Sequence, residues 1–192
     1  MTNNSLMLSL LIGLLPLTHI AHAKPYQPAL HQPVKLNSLA QQKQYIRQIY
    51  AEVNNNLGSY QLTNIDNHGH STEGGVIKFY TDQNQIRLIE EIYYGETGKY
   101  SLQYYFANND LYFVFEQTVR YNAPISFDTP SLGMEAFDIK KSKIAENRYY
   151  FYNGSMIQWL DEDKQSVSPN NSRYINKQNQ LLRAVENALR QR

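Results

Sequence analysis

The sequence predicts an α+β domain in which an antiparallel meander of about six strands is packed on one face by an N-terminal and a C-terminal helix. Three observations carry this. Apolar residues recur at helical spacing over 39–57 and again over 174–189. Between them, segments 77–86, 102–111 and 147–156 align without gaps, each with an aromatic pair followed by an aliphatic residue six positions after the second aromatic. At the centre of each segment stands a turn dipeptide, Gln83-Asn84, Asn108-Asn109 or Asn153-Gly154. Asn-Gly is the strongest short-range hairpin signal, because both central residues must accept positive φ.

Residues 1–23 read as an export signal. An apolar stretch over 6–17, interrupted only by Ser9, Gly13 and Pro16, precedes Ala21-His22-Ala23, with small residues where a signal peptidase requires them. The stretch is short of the roughly 20 residues that span a bilayer as a helix. Met1 to Ser5 carry no Lys or Arg, so an uncleaved anchor is the competing reading. Cleavage after Ala23 would place the protein in the periplasm or outside the cell. The chain has no cysteine, which excludes lipidation at cysteine, thiol catalysis, iron–sulfur clusters and disulfides together.

Residues 24–37, with Pro25, Pro28 and Pro33, predict an extended arm, and 38–192 a single domain. Ser38-Leu39-Ala40-Gln41 fits a capping box and opens a helix over 38–57, where Ile46, Ile49, Tyr50, Val53 and Leu57 share a stripe before Gly58. Hairpins follow at 76–94, 100–121 and 142–161. Gly95-Glu96-Thr97-Gly98 joins the first two closely, and an excursion over 122–146 breaks the rhythm before the third. Over 172–191, Tyr174, Gln178, Leu181, Leu182, Val185 and Leu189 line one side of a second helix.

Counting outward from symmetric two-residue turns pairs Tyr80 with Arg87, Tyr105 with Tyr112 and Tyr150 with Ile157. The period of two then sends Ile77, Phe79, Leu88, Tyr104, Leu111, Phe113, Tyr149 and Leu160 to a core face under both helices. It sends Tyr80, Tyr105, Tyr112, Tyr150 and Trp159 to an accessible face, with Arg148 placed to stack on Trp159 and Glu116 beside them. Glu90 and Gln158 fall on the core face, which they fit poorly. On this assignment Tyr105→Ala is a milder change than Phe113→Ala or Leu111→Ala. The competing account of the Tyr/Trp face is that tyrosine is simply a good strand former, or that the excursion covers it.

The repeated unit, Tyr-Tyr-Phe, then Asn-Gly, then an aliphatic strand ending in an acid, resembles the hairpins of uncharacterised exported bacterial proteins over roughly 76–161. The resemblance implies an envelope location and brings no activity with it.

Little in the chain suggests chemistry. His68, His70 and Glu73 have metal-ligand character, but their setting is rich in glycine and polar residues, as in a loop carrying solvated histidines. The third histidine after the signal, His31, lies in the arm. Asp161-Glu162-Asp163 lacks the glycine and terminal glutamate of a calcium loop. Glu91, Glu116 and Asp161 align five positions after the aliphatic residue of each hairpin. Two such acids can cleave a glycoside across a cleft, yet their repetition points to a structural role such as cross-strand pairing with Lys or Arg. Nucleophile-elbow, phosphate-loop and HExxH patterns are absent. With 18 basic against 17 acidic side chains, a dedicated nucleic-acid binder is disfavoured.

The expectation is therefore an exported, non-catalytic binding protein without cofactor or bound metal, engaging a protein partner of the envelope through Tyr80, Tyr105, Tyr112, Tyr150, Trp159, Arg148 and Glu116. An inhibitor, an immunity factor or a chaperone fits that description. The alternatives are a glycan- or peptidoglycan-binding module using the same aromatics, and a metal-dependent hydrolase at His68, His70 and Glu73.

Overall fold

The computed structural model describes residues 36–67, 71, 73–130, 133 and 135–192. The export signal, the proline-containing arm, His31, His68 and His70 lie outside them. The described chain folds as an antiparallel meander of seven strands in sequence order, with one helix at each end of the chain. The strands are β1 (Gln61–Asp66), β2 (Gly75–Asp82), β3 (Gln85–Gly95), β4 (Gly98–Ala107), β5 (Asp110–Arg120), β6 (Lys143–Tyr152) and β7 (Ser155–Leu160). The three hairpins, their turns and the Gly95–Gly98 link fall where the sequence places them. β1 is the addition. Its residues are mostly exposed and it pairs only with β2, so it carries little of the apolar alternation that marks the other strands.

Helix α1 (Leu39–Asn55) begins with the predicted capping box: Ser38 Oγ accepts from the Gln41 amide and Gln41 Oε1 from the Ser38 amide, 3.2 Å each. It buries Ile46, Ile49 and Val53 at spacings of three and four. Helix α2 (Ser172–Gln191) starts on an Asn171 cap and buries Tyr174, Leu181, Val185 and Ala188.

The two helices do not share a face. Ile46, Ile49 and Val53 of α1 pack with Leu88, Tyr105, Phe113 and Tyr150. Tyr174, Leu181, Val185 and Ala188 of α2 pack with Phe79, Ile89, Tyr104, Val114, Tyr149, Phe151 and Trp159. Tyr104 and Tyr105, like Tyr149 and Tyr150, are neighbours along one strand, so the two clusters lie on opposite sides of the sheet. The fold is a helix–sheet–helix sandwich, and the expectation of both helices on one face is corrected.

The reason is a bulge repeated in each hairpin. The turns have positive φ at both central residues: 47° and 66° at Gln83-Asn84, 51° and 64° at Asn108-Asn109, 50° and 75° at Asn153-Gly154. Two pairs beyond each turn the register slips by one residue, so that Tyr80 faces Leu88, Tyr105 faces Phe113 and Tyr150 faces Gln158. Arg87, Tyr112 and Ile157 are the extra residues. Each extra residue turns toward α1: Arg87 pairs with Glu52, Tyr112 packs edge-on against Tyr45 with ring centroids 5.4 Å apart, and Ile157 joins the α1 cluster. Beyond the bulge, the alternation of the second strand is inverted relative to a symmetric hairpin.

The excursion, with a short 3₁₀ turn at Ile139–Lys141, ties itself to the β3–β4 turn. The Ile125 amide donates to the Glu96 carbonyl at 2.9 Å and Ser126 Oγ to Glu96 Oε1 at 2.7 Å. Asn122 bridges its two ends through Ala136 O and the Asp138 amide, 2.9 Å each. Its described residues belong to neither core cluster, so it is an end piece and not a cover for the sheet.

Candidate functional site

The predicted Tyr/Trp face is divided between the two sides of the sheet. Tyr105 (1% exposed) and Tyr150 (8%) lie under α1 with the half-buried Tyr80 and Tyr112, while Trp159 (5%) lies on the α2 side. Their hydroxyls and rings serve the core. Tyr105 Oη donates to Gln103 Oε1 at 3.1 Å and Tyr50 lies 5.0 Å from its ring, while Trp159 Nε1 donates to Asn147 Oδ1 at 3.0 Å. Arg148 caps the Phe115 ring at 5.2 Å and pairs with Glu146 at 2.6 Å, not with Trp159, over which Arg173 of α2 lies instead. A stacking platform needs open ring faces, and these residues do not form one.

What the sheet does assemble, on the α2 side, is a pair of buried carboxylates. Residues Ile77, Glu91, Leu102, Glu116 and Asn147 form one cross-strand row from β2 to β6. Glu91 and Glu116 are therefore two strand spacings apart, about 10 Å between backbones, with Leu102 between them. They are 4% and 8% exposed. The bulges bring them to this side, because each acid lies beyond the inserted residue of its hairpin. Asp161, the third aligned acid, falls just past β7 and accepts from the Gln165 amide at 2.8 Å and the Asp163 amide at 3.2 Å, closing a loop.

The two buried acids have different surroundings. Glu116 accepts from Tyr100 Oη at 2.7 Å and from Tyr149 Oη, and the Lys177 ammonium of α2 sits 3.3 and 3.5 Å from its two oxygens. Its partner across the layer is thus a helix lysine and not a cross-strand one. The same ammonium lies 5.7 Å from the centre of the Tyr149 ring. Glu91 accepts from Tyr93 Oη at 2.9 Å and has no cationic partner among the described residues. Burial holds its carboxyl above the ordinary value, and the Tyr93 and Tyr104 hydroxyls oppose that shift. Burial, followed by the adjoining carboxylates, pushes the Tyr93 and Tyr100 hydroxyls far up, so both stay protonated donors.

Glu91 opens into a cleft of about 550 Å³ between α2 and strands β2–β4. Ile77, Leu102 and Glu91 line it from the sheet, and Tyr93 and Tyr100 do so with rings 5.9 Å apart. The helix contributes Ala184 and Ala188, whose small side chains leave the space open, and the polar Gln180, Arg183, Asn187 and Gln191. Asn67, 6% exposed and just past β1, adds a further amide. Sequence reasoning missed this site because it hangs on the bulges. The available signal was the identity of Glu90 in β3 and Gln158 in β7, which are polar where a symmetric hairpin needs apolar residues.

A second, smaller hollow of about 410 Å³ lies beside α1, lined by Arg47, Tyr50, Phe115, Glu146, Arg148 and Tyr150 among others. It keeps two of the predicted binding residues, Arg148 and Tyr150. Among the described residues no group of three or more His, Asp or Glu side chains is placed to hold a metal, and Glu73, the described member of the predicted metal set, is exposed. No helix among the described residues is long and apolar enough to cross a membrane. No family model, curated protein or solved structure matches the chain.

Proposed function

We propose that this is an exported binding protein that holds a small ligand in the cleft between α2 and β2–β4. The carrying observation is Glu91, a carboxylate removed from water without a counter-charge and lining an open cleft of a size suited to small molecules, about 300–1,000 Å³. A buried carboxylate is costly unless something satisfies it, and the Tyr93 and Tyr104 hydroxyls leave part of its acceptor capacity unused. Holding fits the surroundings better than acid–base catalysis. The second carboxylate that glycoside cleavage would use is Glu116, and it is clamped by Lys177, Tyr100 and Tyr149. Export rests on the apolar stretch and Ala21-His22-Ala23.

The test is a fragment screen by two-dimensional amide NMR on the full chain. Binders are expected to shift the signals of Asn67, Gln180, Arg183, Asn187 and Gln191 together. Binders that perturb other regions only, or a library without binders, would sink the reading.

A protein partner remains a second reading, moved from the sheet face to the hollow beside α1. There the exposed Tyr50 and the cationic Arg47 and Arg148 flank Phe115, the aromatic and arginine composition that anchors protein interfaces. A folded Arg47→Ala/Tyr50→Ala variant that retains every envelope protein captured by the wild type would remove it.

A further inference from the structure

Glu91 and Glu116 occupy equivalent positions in consecutive hairpins, stand in one cross-strand row and point to the same helix. One of them has its ammonium and the other does not. Lys177 approaches Glu116 to 3.3 Å. Seven residues later, two helical turns along the same side of α2, the residue is Ala184, and the space before Glu91 is the cleft. Glu91 thus sits in an environment built like that of Glu116 but lacking the cation. The rim supplies the opposite charge. Arg183 lines the cleft, its Nε donates to the Asn179 carbonyl at 3.2 Å, and its guanidinium has no carboxylate partner among the described residues.

Resting on the cleft as the binding site, we infer that its ligand is a small zwitterion of the amino-acid class, whose ammonium docks on Glu91 as the Lys177 ammonium docks on Glu116 and whose carboxylate reaches Arg183. A purely cationic ligand would leave Arg183 facing it with like charge, and a purely anionic one would be repelled by Glu91. The arginine fork suits a carboxylate in two-point contact, and the Tyr93 and Tyr100 rings beside Glu91 add a favourable setting for an ammonium. The amides of Asn67, Gln180 and Asn187 can hydrogen-bond either end.

The inference is tested by calorimetric titration of the full chain with glycine, β-alanine, 4-aminobutyrate and 6-aminohexanoate, and with the alkylamine and carboxylic acid matching each in length. One amino acid of the series should bind saturably and at least tenfold tighter than its matching amine or acid, and the best length reports the spacing from Glu91 to Arg183. Glu91→Gln should weaken that amino acid at least tenfold. Arg183→Gln, an exposed position where folding is not at stake, should weaken the amino acid while leaving the alkylamine unchanged. Equal binding of the matching acid, an affinity unmoved by either substitution, or no saturable binding by any member overturns the zwitterion. Fragments of other chemistry found in the cleft by NMR would then preserve the cleft as a binding site, whereas an empty screen would remove both.

Discussion

The two halves of α2 do different work against the same sheet. Its first half is sealed. Tyr174 Oη donates to the Met156 carbonyl at 2.9 Å, Gln178 accepts from the Met156 amide at 2.7 Å, and Lys177 neutralises Glu116. Its second half carries alanines where the first carries tyrosine and lysine, and there the layer parts to leave Glu91 in a cleft. The sheet beneath is nearly a repeat, so the difference is written in the helix. A buried carboxylate can be a fastener or a receptor, depending on whether the opposing element brings its own cation.

Substitutions can break that comparison, and the largest effects belong to the sealed regions. Phe151→Ala on the α2 side should cost about 3–5 kcal/mol in urea unfolding, because a fully buried ring is lost from a packed layer. Tyr105→Ala should cost as much as Phe113→Ala, since both rings lie under α1 within 5.7 Å of each other. A clearly milder Tyr105→Ala would return Tyr105 to an open face and undo the two-sided fold. Lys177→Met should cost about 1–3 kcal/mol by leaving Glu116 without its charge partner. Stability equal to the wild type would make Lys177 a bystander and the contrast with Glu91 void. Ala184→Leu fills open space and should change stability by less than about 1 kcal/mol, where the same enlargement in a packed core costs about 1–3 kcal/mol.

The smallest effect, and the one that isolates Glu91, depends on pH. Its carboxyl lies above the ordinary value, so the native protein holds that proton more tightly than the unfolded chain. The stability lost by ionising it is absent below the unfolded carboxyl's pKa and complete once pH has passed the raised native one. Glu91→Gln removes the ionisation, so its melting temperature should match the wild type in acid and exceed it increasingly as pH rises through that range. A gap that stays constant with pH would mean that Glu91 is not held short of charge.

The class of fold was legible in the residues because it rests on local signals. The capping box at Ser38, the Asn-Gly and Asn-Asn turns, and the stripe from Tyr174 to Val185 each specify backbone geometry without reference to distant parts of the chain. The sides of the sheet were not legible, and for a definite reason. A bulge leaves no mark in turn chemistry, and because the same bulge occurs in all three hairpins, a symmetric count is wrong in the same way each time and remains self-consistent. Only the polar Glu90 and Gln158 betray it. Glu90 in fact lies on the α1 side, accepting from Lys78 at 3.1 Å and Gln103 at 3.2 Å. The cleft was harder still to foresee, since it needs the bulge, the row and the alanines of α2 at once.

The extra residue in each hairpin also governs how the chain tolerates changes of length. Arg87, Tyr112 and Ile157 act as spare residues: remove Tyr112, and Phe113 still faces Tyr105 while Val114 and Glu116 stay on the α2 side, because the deletion takes out the one residue without a cross-strand partner. What such a deletion costs is the side chain that the extra residue sends to α1, here the contact of Tyr112 with Tyr45. Hairpins of this kind can therefore lose one residue without rebuilding either layer of the sandwich, whereas a second deletion from the same strand finds no spare and turns everything beyond it to the other side.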